Sequence, residues 1–224
     1  MISVSSRDHE LRSETRPSLH FEKARVIYHQ GDSALRWFEV VSGIVRTCRF
    51  MADGHRQLTG FFCAGDVFGV EGEFYAESAE AVTDVVLRFS PVIQTGNQDG
   101  GDTPRALEKA LESARRSIFL FGHRTAANRV AAFLITMADR SGIHAGLKLP
   151  MTRGDIADHL NLTLHTVSRT MSDFARKQLI SFHGRQNVRI LDIEGLREIA
   201  GDASGNHPQQ HMECDQQPAR SAGQ

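Results

Sequence analysis

Residues 152–169 constrain the fold more than any other stretch, because they carry the pattern of two short helices joined by a tight turn. Thr152 can cap the first helix, and Asp155 can reach back to it in a capping-box arrangement. After a three-residue turn, Thr163 is a suitable N-cap for a second helix that runs to about Lys177. Apolar residues at helical spacing are expected to face inward on the two helices: Ile156, Ala157 and Leu160, then Leu164, Val167, Met171 and Phe174.

The predicted second helix also carries polar side chains near its N-terminal end. His165, Thr166, Ser168 and Arg169 lie on faces away from the apolar stripe. A recognition helix presents its first turns to base edges in the major groove in this way. The alternative is an ordinary helical hairpin with solvated polar residues.

The residues that follow favour DNA binding over that alternative. Residues 179–182 and 188–191 alternate like two strands around a turn at 183–187, so helix, turn, helix and hairpin together predict a winged helix. Between positions 150 and 190 there are six basic and three acidic residues, in a chain of net charge −1. Local basicity suits phosphate contact. We expect these residues to contact phosphate: Arg153, Thr163, Thr166 and Arg185.

These motifs resemble the DNA-reading half of the CRP/FNR family. The segments Asp-Ile-Ala-Asp-His-Leu from 155, Leu-Thr-Leu from 162 and Thr-Val-Ser-Arg from 166 are most similar to the FixK-like branch, and residues 124–134 are also FixK-like. The family reads DNA as a dimer through a Glu-x-x-Ser-Arg signature. Ser168 and Arg169 match its last two members, whereas His165 stands where the family has glutamate.

The resemblance covers about residues 20–197 and has several implications. It implies a homodimer that binds double-stranded DNA at a TTGAT…ATCAA-type palindrome, with base contacts from His165, Ser168 and Arg169. It also implies transcription activation through contact with RNA polymerase.

The predicted fold class is α+β, with an N-terminal β-roll like that of cyclic-nucleotide-binding domains, a long dimerisation helix and a C-terminal winged helix-turn-helix. Strand-like runs alternate with glycine-containing turns from Phe21 to about Pro91. The expected divisions are a flexible arm over 1–18, the roll over 19–100, two helices over 103–140, the winged helix over 141–198 and a disordered tail over 202–224.

The long helix carries an apolar stripe at 4, 3, 4, 3 spacing, which is typical of a helix that pairs with a copy of itself. The stripe consists of Leu107, Leu111, Ala114, Ile118 and Phe121. A helix packed only on its own domain would show a similar stripe. A two-fold DNA site needs two recognition helices about one helical turn apart, which favours dimerisation.

The β-roll is expected to hold no cofactor and no metal. Cyclic-nucleotide-binding members use an arginine to meet the cyclic phosphate, and Glu77 stands at that position here. Like charges in a partly buried pocket repel, so a cyclic-nucleotide-responsive regulator is the weaker alternative. Three cysteines cannot supply the usual four ligands of an iron–sulfur cluster, while haem stays open because any of eleven histidines could ligate iron.

A cupin-like, metal-dependent oxygenase on the roll is the rival class, and the pattern argues against it. Such an enzyme needs two histidines and one carboxylate around the metal, and residues 21–91 lack a His-x-His or His-x-Asp/Glu pair. We therefore expect no enzyme and no catalytic residues. The absence of an apolar run of about 18 residues and of a signal peptide, with few and scattered cysteines, predicts a cytoplasmic protein without membrane contact.

Overall fold

The computed structural model describes residues 17–52, 54, 56–91, 103–122, 125–141, 147–183 and 187–201. Most of the predicted arm, the end of the roll after 91, the tail over 202–224 and Arg185 lie outside these residues. The side chains of Ile118 and Phe121 also lie outside the described part.

Two four-stranded antiparallel sheets form the N-terminal domain of the described chain, in the strand orders β1-β8-β3-β6 and β2-β7-β4-β5. Their strands are β1 (Ser18–Phe21), β2 (Val26–Tyr28), β3 (Arg36–Ser42), β4 (Val45–Phe50), β5 (Arg56–Phe62), β6 (Val67–Phe68), β7 (Ser78–Ala81) and β8 (Val85–Pro91). Gly43 joins β3 to β4 at a φ of +88°, where a Cβ would lie 2.3 Å from the Asp84 carbonyl oxygen. This close approach requires glycine.

Aromatic rings fill the space between the two sheets. Tyr28 stacks on Tyr75 with 3.7 Å between ring centroids, and Phe38 stacks on Phe68 at 5.3 Å. Because large rings interdigitate there, the interior of the roll is a packed core.

Two long helices, α1 (Thr103–Gly122) and α2 (Ala126–Ser141), follow the roll. Ala106 of α1 is buried against Trp37 and Val67, and Lys109 forms a 2.9 Å ion pair with Glu39 of β3. One face of α1 is therefore attached to its own β-roll. Helix α2 is mostly buried and belongs to the core of the C-terminal domain.

The C-terminal domain is a winged helix. Its elements are β9 (Leu147–Lys148), α3 (Arg153–Leu160), α4 (Leu164–Arg176), β10 (Ile180–His183), β11 (Asn187–Ile190) and α5 (Ile193–Ala200). The three strands form one sheet in the order β10-β11-β9. The predicted α+β fold, with a β-roll and a winged helix, is confirmed.

Several elements differ in detail from the sequence prediction. Strand β1 begins at Ser18, three residues before the predicted start of the strands. The wing strands are each displaced by one residue from the predicted runs. Helix α5 was not predicted; Asp192 caps it by accepting a 2.9 Å hydrogen bond from the Gly195 amide, and Leu196 is buried. Two-residue β9 is too short to produce an alternating pattern.

No helix in the described part of the chain is long and apolar enough to span a bilayer.

Candidate nucleic-acid interface

The first helix of the helix-turn-helix is closed at both ends by its own side chains and backbone. Thr152 Oγ1 accepts a hydrogen bond from the Asp155 amide at 3.0 Å, and Asp155 Oδ2 accepts from the Thr152 amide at 3.0 Å. The predicted capping box is therefore confirmed. At the other end, Asn161 adopts the left-handed conformation with a φ of 52°, a position that asparagine tolerates better than most residues.

Helix α4 begins at the predicted cap. Thr163 Oγ1 accepts a 3.1 Å hydrogen bond from the Thr166 amide, and the two hydroxyls lie 2.8 Å apart. Val167, Met171 and Phe174 are buried in the domain core. The face of α4 opposite these three residues is consequently turned away from the core.

The predicted base-reading residues share that outer face near the start of α4. His165 and Arg169 are exposed, and Ser168 beside them is half-buried. Leu164 was expected to face inward, but it is 55% exposed. It is the first residue after the Thr163 cap, so its side chain lies at the rim of the core rather than within it. Leu164 therefore adds an apolar group beside the polar side chains.

Three of the four predicted phosphate contacts lie within the described residues. The Arg153 guanidinium lies 5.1 Å from the centre of the Phe182 ring, which places it between the start of α3 and the wing. Thr163 and Thr166 are joined through the cap of α4. Their backbone amides belong to a helix N-terminus, an arrangement that suits anions.

Sequence reasoning missed a group of charged residues that joins the winged helix to the β-roll. Asp155 Oδ1 accepts hydrogen bonds from Arg46 at 2.7 Å and from Arg56 at 3.2 Å. Arg46 also binds Glu80 at 2.8 Å, and Arg56 binds Asp158 at 3.3 Å. The Asp155 side chain is only 5% exposed. No local sequence pattern could indicate these contacts, because their partners lie on separate domains.

His159 was also missed, and it lies beside these residues, one turn after Asp155. It is 4% exposed, with its ring 5.1 Å from Phe61 of β5 and 5.9 Å from Phe133 of α2. The pKa of His159 is lowered to about 4, chiefly by burial and to a smaller extent by the positive charge of Arg140, while a hydrogen bond to the backbone of Leu58 acts in the opposite direction. His159 is therefore an uncharged core residue at neutral pH.

The segment of the roll that is compared above with a cyclic-phosphate site contains the carboxylates of Glu71 and Glu77. Glu77 Oε2 accepts a 2.8 Å hydrogen bond from the Thr59 hydroxyl, and the Ala76 amide donates to Glu71. Burial raises the pKa of Glu71, and the neighbouring charge of Glu77 raises it further. This field opposes an anionic phosphate. Among the described residues, no group of three or more His, Cys, Asp or Glu side chains could hold a metal ion.

Comparison with known proteins agrees with this architecture. The Crp-like helix-turn-helix domain matches residues 128–199, and the cyclic nucleotide-binding domain matches residues 18–92. The chain is 33% identical over 184 residues to the nitrogen fixation regulation protein FixK of Rhizobium meliloti, covering 80% of this chain and 85% of that protein. It is 32% identical over 202 residues to the transcriptional activator protein FnrL of Cereibacter sphaeroides, covering 82% and 80% respectively.

A solved structure shows the same arrangement. FixK2 from Bradyrhizobium japonicum has a TM-score of 0.73 and 31% identity to this chain, covering 83% of this chain and 97% of that one. Together with the exposed recognition face of α4, these similarities identify the chain as a DNA-binding transcription regulator that belongs to the CRP/FNR family, in its FixK-like branch.

Proposed function

We propose that this regulator is a homodimeric activator that binds a palindromic DNA site of the TTGAT…ATCAA type and contacts RNA polymerase. The observation that carries the proposal is the outer face of α4, where His165 and Arg169 are exposed while the opposite face is buried. In this role Arg169 donates two hydrogen bonds to a guanine, Ser168 contacts a neighbouring thymine, and Arg153 and the α4 N-terminus bind phosphate. The similarity to the transcriptional activator protein FnrL supports activation rather than repression of transcription.

A direct binding experiment tests this function. The purified full chain should bind a duplex with the intact palindrome as two chains per duplex. Its affinity for a scrambled duplex of equal length should be at least about a thousandfold lower, because specific sites are usually bound tighter than non-specific DNA by that factor or more. Equal affinity for both duplexes would contradict sequence-specific regulation.

Dimerisation should depend on the exposed side of α1. Leu107 and Leu111 are 52% and 53% exposed, although the other side of the helix is attached to the roll. We expect Leu111→Glu to give a monomer in light scattering. The substitution removes the stabilisation of about 1.5–3 kcal/mol that burial of each leucine side chain gives, and it places a charge in the interface. Arg105→Glu is the matched control, since it lies about 120° from Leu111 around the helix. A Leu111→Glu dimer that binds the palindrome normally would exclude this interface.

His165 should alter base preference at the position that the family reads with glutamate. An ionised glutamate only accepts hydrogen bonds and so pairs with a cytosine amino group, whereas neutral histidine has one donor and one acceptor. Sites selected from a randomised half-site should tolerate several bases there, with a tilt towards purine N7 acceptors. His165→Glu should restore cytosine on one strand. Strict cytosine selection by the wild type would refute a reading role for His165.

Operator binding should not require a cyclic nucleotide. Glu77 stands at the position of the phosphate-binding arginine, and its carboxylate lies in the field of Glu71. Titration with micromolar cAMP or cGMP should therefore leave the affinity for the palindrome unchanged. A tenfold gain with either nucleotide would show that the pocket accommodates the phosphate despite both carboxylates.

A further inference from the structure

The charged residues between the winged helix and the β-roll form what we call the interdomain clamp: Arg46, Arg56, Glu80, Asp155 and Asp158. Its centre is the buried carboxylate of Asp155, whose two oxygens bind different partners. Oδ2 caps α3 through the Thr152 amide and hydroxyl at 3.0 and 2.8 Å. Oδ1 accepts from both guanidinium groups of the roll. The start of the helix-turn-helix is thus attached directly to β4 and β5.

Arg46 extends this attachment to a third strand. Its Nε and Nη2 both donate to Glu80 of β7, at 3.2 and 2.8 Å, while Nη1 donates to Asp155. A guanidinium held by two carboxylates in different directions is fixed in position and angle, because its donors lie in one plane. Arg46 therefore transmits the orientation of the roll to α3.

The clamp does not cover the DNA-reading face. Its contacts to the winged helix are on α3, whereas His165 and Arg169 of α4 are exposed. The contact consequently does not block DNA in the manner of an inhibitor. What it fixes is the direction in which α4 points from the roll.

We propose that Arg46 and Arg56 are positioning residues for DNA recognition, which set the half-site spacing that the dimer accepts. The proposal rests on the function proposed above, a dimer on a palindrome. The roll and α1 would set the two-fold axis, and the clamp would set each recognition helix relative to that axis. One added base pair rotates the half-sites by about 35° and separates them by about 3.4 Å. A rigid clamp resists that change, and a loosened one accommodates it.

The test compares spacing selectivity with base selectivity in the full-length protein. Duplexes carry identical half-sites with the central spacer changed by one base pair in either direction. The wild type should prefer one spacer by about tenfold or more, as for other single defects in a site. Arg46→Gln should reduce that preference to about threefold or less, while discrimination against a mutated half-site stays at the wild-type ratio.

Two further variants complete the experiment. Arg49→Gln removes the same charge from an exposed position of β4 and should keep wild-type spacing selectivity. Arg56→Gln repeats the test should Arg46→Gln fail to fold, because the Arg56 side chain is one-third exposed. A clamp variant that weakens binding at every spacer by one common factor would overturn the positioning role. A wild type without preference for any palindrome would instead overturn the proposed function.

Discussion

Arg169→Ala is expected to lower affinity for the palindrome much more than affinity for random DNA. Arg169 is exposed one turn into α4, after the Thr163 cap that fixes the start of the helix. A guanidinium that donates to both guanine O6 and N7 contributes about 1–3 kcal/mol of base discrimination. A homodimer loses this contribution at both half-sites, so the specific affinity should fall by roughly 30-fold to 10⁴-fold. The measurement is a fluorescence titration of cognate and random duplexes at one salt concentration.

The matched control for Arg169 is Arg176, which lies on the last turn of the same helix and pairs with Asp173. Arg176→Ala removes the same charge and should reduce binding to both duplexes by a similar small factor. Phosphate contacts contribute without sequence preference, and their loss lowers the salt dependence of binding. Equal losses on cognate and random DNA for Arg169→Ala would therefore assign Arg169 to the phosphate backbone.

The features of the interface that the sequence predicts are those governed by local rules. The Thr152–Asp155 capping box and the Thr163 cap involve partners three residues apart, and such patterns are readable from the chain alone. Leu164 departs from its predicted burial because the helical repeat gives a direction but not the edge of the core. The helix period predicts which side faces inward only where other elements cover that side.

Long-range contacts escape prediction for a physical reason. Arg46 and Asp155 are 109 positions apart, and either residue by itself resembles an ordinary surface charge. His159 reads as a polar residue within a helix-turn-helix, yet it is buried between Phe61 and Phe133 from two other elements. A single sequence contains no local pattern that shows which strands a helix will pack against. The interface between the domains therefore became visible only with the fold.

The position of His159 leads to an expected loss of stability in mild acid. The folded protein keeps His159 uncharged down to its lowered pKa of about 4, whereas the unfolded chain takes up a proton near the ordinary value of 6.5. Between these pH values the unfolded state binds more protons, so the free energy of unfolding falls as the pH falls. The contribution is fully present above pH 6.5 and is lost progressively towards pH 4. At about 1.4 kcal/mol per pH unit, the loss amounts to about 3 kcal/mol.

Urea unfolding of wild type and His159→Gln, at one protein concentration and a series of pH values, isolates this contribution. Glutamine stays uncharged and can still donate a hydrogen bond towards the Leu58 backbone. The charged groups on the packed elements, Arg46, Arg56 and Arg140 with Asp155 and Asp158, are common to both proteins and cancel in the comparison. Between pH 6.5 and pH 4, the free energy of unfolding of the wild type should therefore fall by about 3 kcal/mol more than that of the variant. If the free energies of unfolding of the two proteins fall in parallel with pH, His159 takes up its proton at the same pH in the folded and unfolded states. The site would then be more accessible to water than the burial of His159 between two phenylalanine rings implies.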